Sequence, residues 1–311
     1  MKGQLVILAG GTGSAKLIRG LASLIPQERL TIIGNVGDNF THYGLQICPD
    51  LDTAMYLLAG VLDERRGWGV KGETFNVLKA LGRLGAETWF RLGDRDLATH
   101  LYRTQLLSRG LTLSEATQKL AEALKIKAKI IPATDSPLQT YIRTGEGLLH
   151  LQEFWVKRRA KPSVLGVEYR GVEAAEPAPG VIQAIREAEA VVIPPANPIT
   201  SVGPILAIPG VREALKASRG PVVAVSPLRG GKPFSGPAGK LMKGLGLKVS
   251  TLTIAQLYKD FLNLLLIDEA DAKLGRQIER LGIKCVVTST RMTTLREEKK
   301  LAKTILNLIN F

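Results

Sequence analysis

The stretch GNVGDNFTHYGLQICPDLDTAMY, Gly34 to Tyr56, decides how the chain is read. An apolar run, Leu30 to Ile33, leads into it and has the character of a buried parallel strand. A helix starting near Asp50 closes it. Pro49 precedes that helix, Asp50 can cap it, and Met55, Leu58 and Leu62 form an apolar stripe. In an open α/β sheet, ligands bind outside the carboxyl ends of the strands. Asp38, Asp50 and Asp52 sit in or beside the loop that emerges there. Capping accounts for Asp50 but not for Asp52 or Asp38. Carboxylates so placed pack poorly and bind cations well. The loop is therefore read as the holder of a divalent cation and of one end of a substrate, with phosphate sites around it.

Outward from this stretch, Gln4 to Ala9 is a strand that turns through GGTGSAKL, Gly10 to Leu17, into a helix. Glycines let the backbone approach a phosphate, and a helix N-terminus offers unpaired N–H groups. The spacing is neither that of a P-loop nor GxGxxG. Gly-rich β–α turns also serve plain helix–strand packing. Residues Arg65 to Gly72 form a Gly-punctuated loop with Trp68, and a helix follows to about Gly85. Glu87 to Phe90 reads as a short strand. LGDRDLATH, Leu92 to His100, opens a helix with Asp94 or Asp96 as its cap, and Arg95 suits a phosphate or carboxylate fork. His100, four residues after Asp96, reads as an ordinary exposed histidine. Leu113 to Leu124 is a helix with a Thr112–Glu115 capping box. Short alternating segments from Lys129 to Tyr169 read as antiparallel strands, with His150, Phe154 and Trp155 as packing residues. The α/β rhythm returns after Pro177–Gly180. Ala190 to Ile193 is a strand, and the loop Pro194 to Pro204 beyond it is rigid and rich in hydroxyls, as a nucleotide or phosphate site would be.

The expected fold is α/β and Rossmann-like, a mostly parallel sheet flanked by helices. Residues 1–70 and 175–311 form its core, and 71–174 an inserted α+β subdomain of one compact unit. The 311 residues are 45% hydrophobic, ample for a large core. No apolar run approaches the length of a membrane span, and no signal pattern opens the chain. Cys48 and Cys285 make neither a disulfide framework nor a zinc site. A cytoplasmic location and no membrane partner are expected. The net charge of +14 is spread along the chain, without a basic helix or an RNA-type aromatic motif, so no nucleic-acid partner is expected.

GGTGSAKL, CPDLDTAMYLL, WGVKGETF, LGDRDLATH, HLQEFW, NPITSVGPIL and SGPAGKLM together resemble the 2-phospho-L-lactate transferase family of coenzyme F-420 biosynthesis, in that family's order and over nearly the whole chain. The resemblance implies transfer of a phospholactyl or enolpyruvyl phosphate group from a guanosine-diphospho-linked acid to the ribityl hydroxyl of the deazaflavin Fo. GMP is released and the reaction depends on Mg²⁺. It places metal and deazaflavin at Asp50 and Asp52, with Asp38 the matching upstream acid, and makes Arg95 a substrate contact. Gly10, Gly11, Thr12, Gly13 and Lys16, with Asn197, Pro198 and Ser201, become the nucleotide and diphosphate side. It also favours a homodimer. Where many members carry a second acid after Asp38, this chain has Asn39.

The chemistry of the residues agrees. Attack of an alcohol on a diphosphate needs a neutralising cation, donors on phosphate oxygens and a proton acceptor. Mg²⁺ suits one or two carboxylates plus substrate phosphates. Arg95 and Lys16 would neutralise phosphate; one of the aspartates or His100 would take the proton; Trp68 and Met55 would flank the flat ring. A sugar-nucleotide-binding regulatory protein is the first rival and a nucleic-acid binder the second. The transferase predicts a basic cleft beside the aspartates.

Overall fold

The computed structural model describes residues 3–311. Seven parallel strands form the central sheet: β1 (Leu5–Ala9), β2 (Leu30–Gly34), β5 (Lys129–Pro132), β9 (Ala190–Ile193), β10 (Val222–Val225), β13 (Leu264–Ile267) and β14 (Lys284–Val287). Between them run two small hairpin sheets, β3 (Phe40–His42) with β4 (Leu45–Ile47) and β11 (Leu228–Arg229) with β12 (Lys232–Pro233). A three-stranded antiparallel sheet comprises β6 (Gln139–Thr144), β7 (Gly147–His150) and β8 (Val164–Arg170).

The central order is β14-β13-β10-β9-β1-β2-β5. The chain starts in the middle, moves out through β2 to β5, then returns to the other side of β1 and moves out again. Leu5 pairs with both Leu30 and Ala190, so β1 is the hinge of that reversal. The crevice between the carboxyl ends of β1 and β9 is the topological switch point, where such sheets bind ligands. Every residue of β1, β2, β9, β10 and β13 is buried, as helices on both faces require.

Helix α1 (Gly11–Ala22) packs on α2 (Pro49–Leu58) and on the C-terminal helix Leu295–Leu308, where Arg19 grips Glu298 through two hydrogen bonds of 2.7 Å. The segment 71–174 supplies α3 (Asn76–Arg83), α4 (Asp94–Ser108), α5 (Leu113–Ala123) and the antiparallel sheet. It also supplies β5, the edge strand beside β2, so it is woven into the central sheet. Ile142, Leu149 and Phe154 belong to the same hydrophobic core as β1. Phe40, Ile47 and Leu92 form a second, smaller cluster with Trp89 and Phe90.

The Thr112–Glu115 capping box is present. Glu87 to Phe90 is not a strand: its aromatic residues pack against the small cluster, and among the described residues no sheet partner lies alongside. Among the described residues no helix is long and apolar enough to cross a membrane.

Candidate active site

A cavity of about 550 Å³ opens at the switch point. The turn after β1 and the loop after β9 form its floor. Gly13 is dictated by their contact, since a Cβ there would fall on the carbonyl oxygen of Pro195. A Cβ on Gly10 would lie 2.8 Å from that of Ser201. These two glycines serve close loop packing, while Gly11, Thr12 and Gly13 present the first turn of α1 to the cavity. Asn197 and Ser201 line it opposite. Pro198 is buried and not part of the lining.

Above the floor lies a carboxylate pair organised by Asn35, a residue the sequence reading passed over. Its fully buried amide donates to Asp38 Oδ1 and Asp50 Oδ2, each at 2.9 Å, and to the Thr200 carbonyl at 3.1 Å. Its Oδ1 accepts the Gly37 N–H at 2.9 Å, which fixes the amide's orientation. Asp50 Oδ1 accepts the Gly11 N–H at 2.7 Å. Asp50 is therefore not the cap of α2, which starts one residue earlier with Cys48 at the N-cap and Pro49 in the first turn. It ties the loop after β2 to the N-terminus of α1. Burial, then the neighbouring Asp50 charge, push the Asp38 carboxyl well above the usual carboxylate range, and burial raises Asp50 as well. No lysine or arginine among the described residues offsets either charge. Two such carboxylates without a cationic side chain fit a divalent metal.

Asp52 is differently placed. Both its oxygens face the buried guanidinium of Arg103: Nη1 donates to Oδ2 at 3.1 Å and Nη2 donates to Oδ1. Asp52 lines the cavity, but its charge is already matched, so it does not fit the metal role expected of it. His100 is 2% exposed rather than on the surface. Its Nδ1 lies 3.3 Å from Arg103 Nη1 and its Nε2 3.2 Å from Asp96 Oδ1. The Tyr56 hydroxyl donates to the same Asp96 oxygen at 2.8 Å. Burial, with the Asp52 and Asp96 charges, holds the Tyr56 phenol well above its ordinary value, so it stays a donor. Asp96, His100 and Arg103 are spaced four and three apart on α4, one helical face. That spacing was the available sign that these polar residues turn inward.

Arg95 and Lys16 are exposed and absent from the cavity wall. Arg95 Nη1 donates to the Lys71 carbonyl at 3.0 Å. Neither Asp94 nor Asp96 caps α4. Asp94 accepts the N–H groups of Asn76 and Val77, both at 3.0 Å, and so caps α3. Glu73 takes the Arg95 and Asp96 N–H groups instead, packed where a Cβ on Gly93 would otherwise sit. The cleft is thus not basic: among the described residues Arg91 is the one lysine or arginine in the wall, against Asp38, Asp50, Asp52 and Asp96. Asn39 is buried with its side-chain oxygen unpartnered and does not line the cavity. Trp68 lines the cavity as expected, but Met55 is core. Trp89, Phe90, Trp155 and Phe234 were missed as wall residues, because aromatics far apart in sequence meet only in the fold.

The family model described as 2-phospho-L-lactate transferase CofD matches residues 5–298. A 2-phospho-L-lactate transferase of Methanosarcina mazei is 43% identical over 97% of this chain and 99% of its own length. A phosphoenolpyruvate transferase of Streptomyces coelicolor is 40% identical over 98% of both chains. Among solved structures, a UPF0052 family member from Bacillus halodurans superposes with a TM-score of 0.64 at 17% identity, over 98% of this chain and 100% of that one, a likeness of fold alone. With a family model spanning nearly its whole length, the chain belongs to the 2-phospho-L-lactate transferase CofD family.

Proposed function

We propose that the protein transfers a phospholactyl or enolpyruvyl phosphate group from a guanosine-diphospho-linked acid to the ribityl hydroxyl of the deazaflavin Fo, with release of GMP and with Mg²⁺ bound. The observation that carries this is the Asp38–Asn35–Asp50 cluster at the switch point, joined to the first N–H of α1. A diphosphate entering a wall with four acids and one arginine needs a cation beside it. Asp38 and Asp50 would hold that cation. When bound it neutralises the diphosphate and favours charge build-up on the departing phosphate. Two carboxylates are the share a protein commonly gives Mg²⁺, the remaining positions being substrate oxygens and water. Among the described residues no three His, Cys, Asp or Glu form a fuller cage.

The chain's other groups have roles that follow from their placement. The N–H groups of Thr12 and Gly13 stand at the positive end of α1 and suit phosphate oxygens. Thr200, Ser201 and Asn197 add donors across the crevice. Trp68, Trp89, Phe90 and Trp155 line the same cavity, and their apolar surface suits a flat ring. His100 is not an available base, since its Nδ1 faces a guanidinium.

Relatives named for each donor match at nearly equal identity, so both donors belong in the test. The regulatory rival draws no support from relatives named as transferases. Asp38→Asn and Asp50→Asn should each lower transfer at saturating Mg²⁺ about 100-fold or more, with the fold intact by circular dichroism. Near-native rates in both would remove the pair from the site.

A further inference from the structure

Behind the metal-type cluster, the same cavity wall carries a polar group that the transfer chemistry leaves unused. His100 is 2% exposed, and among the described residues its Nε2 has no hydrogen-bond partner. Its tautomer follows from its neighbour. A guanidinium can only donate, so the contact of His100 Nδ1 with Arg103 Nη1 at 3.3 Å assigns the lone pair to Nδ1, with Asp52 Oδ2 farther from the same nitrogen at 3.6 Å. Arg103 is itself fixed by Asp52 and by the Gln46 carbonyl at 3.3 Å, so the arrangement does not rotate away. The imidazole proton is therefore assigned to Nε2, a buried atom of a side chain that lines the cavity. Asp96 Oδ1 is 3.2 Å from Nε2 but outside hydrogen-bond geometry, and it already accepts from Tyr56. Among the described residues nothing engages Asp96 Oδ2. A buried donor without an acceptor is costly unless a ligand supplies one.

A neutral N–H beside a carboxylate is a matched donor–acceptor pair. It complements a ring edge that carries a carbonyl next to an N–H. It does not complement a phosphate, which the carboxylate would repel. Trp89 and Phe90 line the same cavity, and aromatic surface there suits such a ring. We propose that His100 and Asp96 bind the cyclic-amide edge of a flat heteroaromatic substrate ring, His100 donating to the carbonyl and Asp96 accepting from the N–H. This rests on the transferase reading, in which two rings carry that edge: the pyrimidinedione of the deazaflavin and the guanine of the donor. Tyr56 and Arg103 act as positioning residues, one orienting Asp96 and the other the imidazole.

The test compares native protein with His100→Leu, His100→Gln and Asp96→Asn. Fo affinity is read by fluorescence titration and GDP affinity by calorimetry, both with Mg²⁺ present. Leucine removes the donor, glutamine returns an N–H near the Nε2 position, and asparagine alters the acceptor with little change in size. The expected result is that His100→Leu and Asp96→Asn weaken one of the two ligands by about 10-fold or more and leave the other within about twofold, while His100→Gln recovers most of the loss. The ligand that is lost identifies the ring in the subsite. Unchanged affinity for both ligands in Asp96→Asn and His100→Gln as well as His100→Leu would overturn the proposal. So would a parallel loss of both ligands that glutamine does not relieve, since a structural role would produce it. Native protein that binds neither Fo nor GDP would instead defeat the transferase reading itself, and that outcome is seen before any variant is compared.

Discussion

Single residues around the cavity show two kinds of carboxylate, and they respond oppositely to change. Asp52 is matched by Arg103. Arg103→Met should leave Asp52 buried and unpaired, lowering stability by roughly 3–5 kcal/mol in urea denaturation, and a loss under about 1 kcal/mol would contradict the pairing. Among the described residues Asp38 and Asp50 have no such partner, and both are raised, Asp38 by burial and then the Asp50 charge, Asp50 by burial. A carboxyl whose folded pKa is raised stabilises most below its unfolded value, near pH 4, and loses that contribution as pH rises through the folded value. Metal-free protein should therefore give up stability from these groups as pH rises, and Mg²⁺ should return it. Thermal melts should show a larger Mg²⁺ shift at pH 8 than at pH 5; equal shifts would count against the pair as the metal site. Asp38 and Asp50 could be picked out in the sequence because acids beyond a strand end have little packing use. Asn35 could not, because an amide beside a strand looks like any loop residue until its three acceptors are seen. Arg103 lies 51 residues from Asp52, and nothing local marks the pair.

The elements themselves were easier to read than their contacts. Continuous apolar runs such as Leu5–Ala9 and Ala190–Ile193 can only be buried strands or core helix, and their length, with Gly10 after the first and Pro194 after the second, decides for strands. Glu87–Phe90 misled because aromatic residues favour strands, whereas these fill a side cluster around Phe40. The glycine turn was read for phosphate approach, yet Gly13 is also held by the Pro195 carbonyl. Gly13→Ala should thus push the two floor loops apart and weaken GDP binding about 10-fold or more, with a lowered melting temperature; unchanged binding and melting would show that the loops are not in contact. On β7, burial lowers His150 from 6.5 to about 4, opposed by its hydrogen bond to the Asn39 carbonyl. Between those values the unfolded chain holds the extra proton, so this contribution to stability falls as pH drops from 6.5 toward 4, by at most ~3 kcal/mol. Comparing His150→Gln with native protein across that range should show a flatter profile in the variant, and parallel profiles would place His150 in solvent.

Across the whole molecule, the reversal of strand order at β1 explains why residues as distant as Gly11, Asp50 and Ser201 share one crevice. The parallel core was legible from the alternation of apolar runs and helical stretches. The place of β5 was not: Lys129–Pro132 sits inside the segment read as an insertion, and only pairing with β2 reveals it as the sheet's edge. Charge misled in a similar way. A net +14 invited a basic cleft, but among the described residues Arg91 alone represents it in the wall, because surface lysines and arginines set the total while four aspartates set the site. The most direct measurement is transfer itself. Native protein is mixed with Fo, Mg²⁺ and each guanosine-diphospho-linked acid in turn, and mass spectrometry is used to look for the phospho-acid adduct of Fo and for GMP. Adduct and GMP in equal amounts with at least one donor, abolished by chelation of Mg²⁺, are expected. No adduct with either donor, from protein that still binds GDP, would contradict the transferase reading.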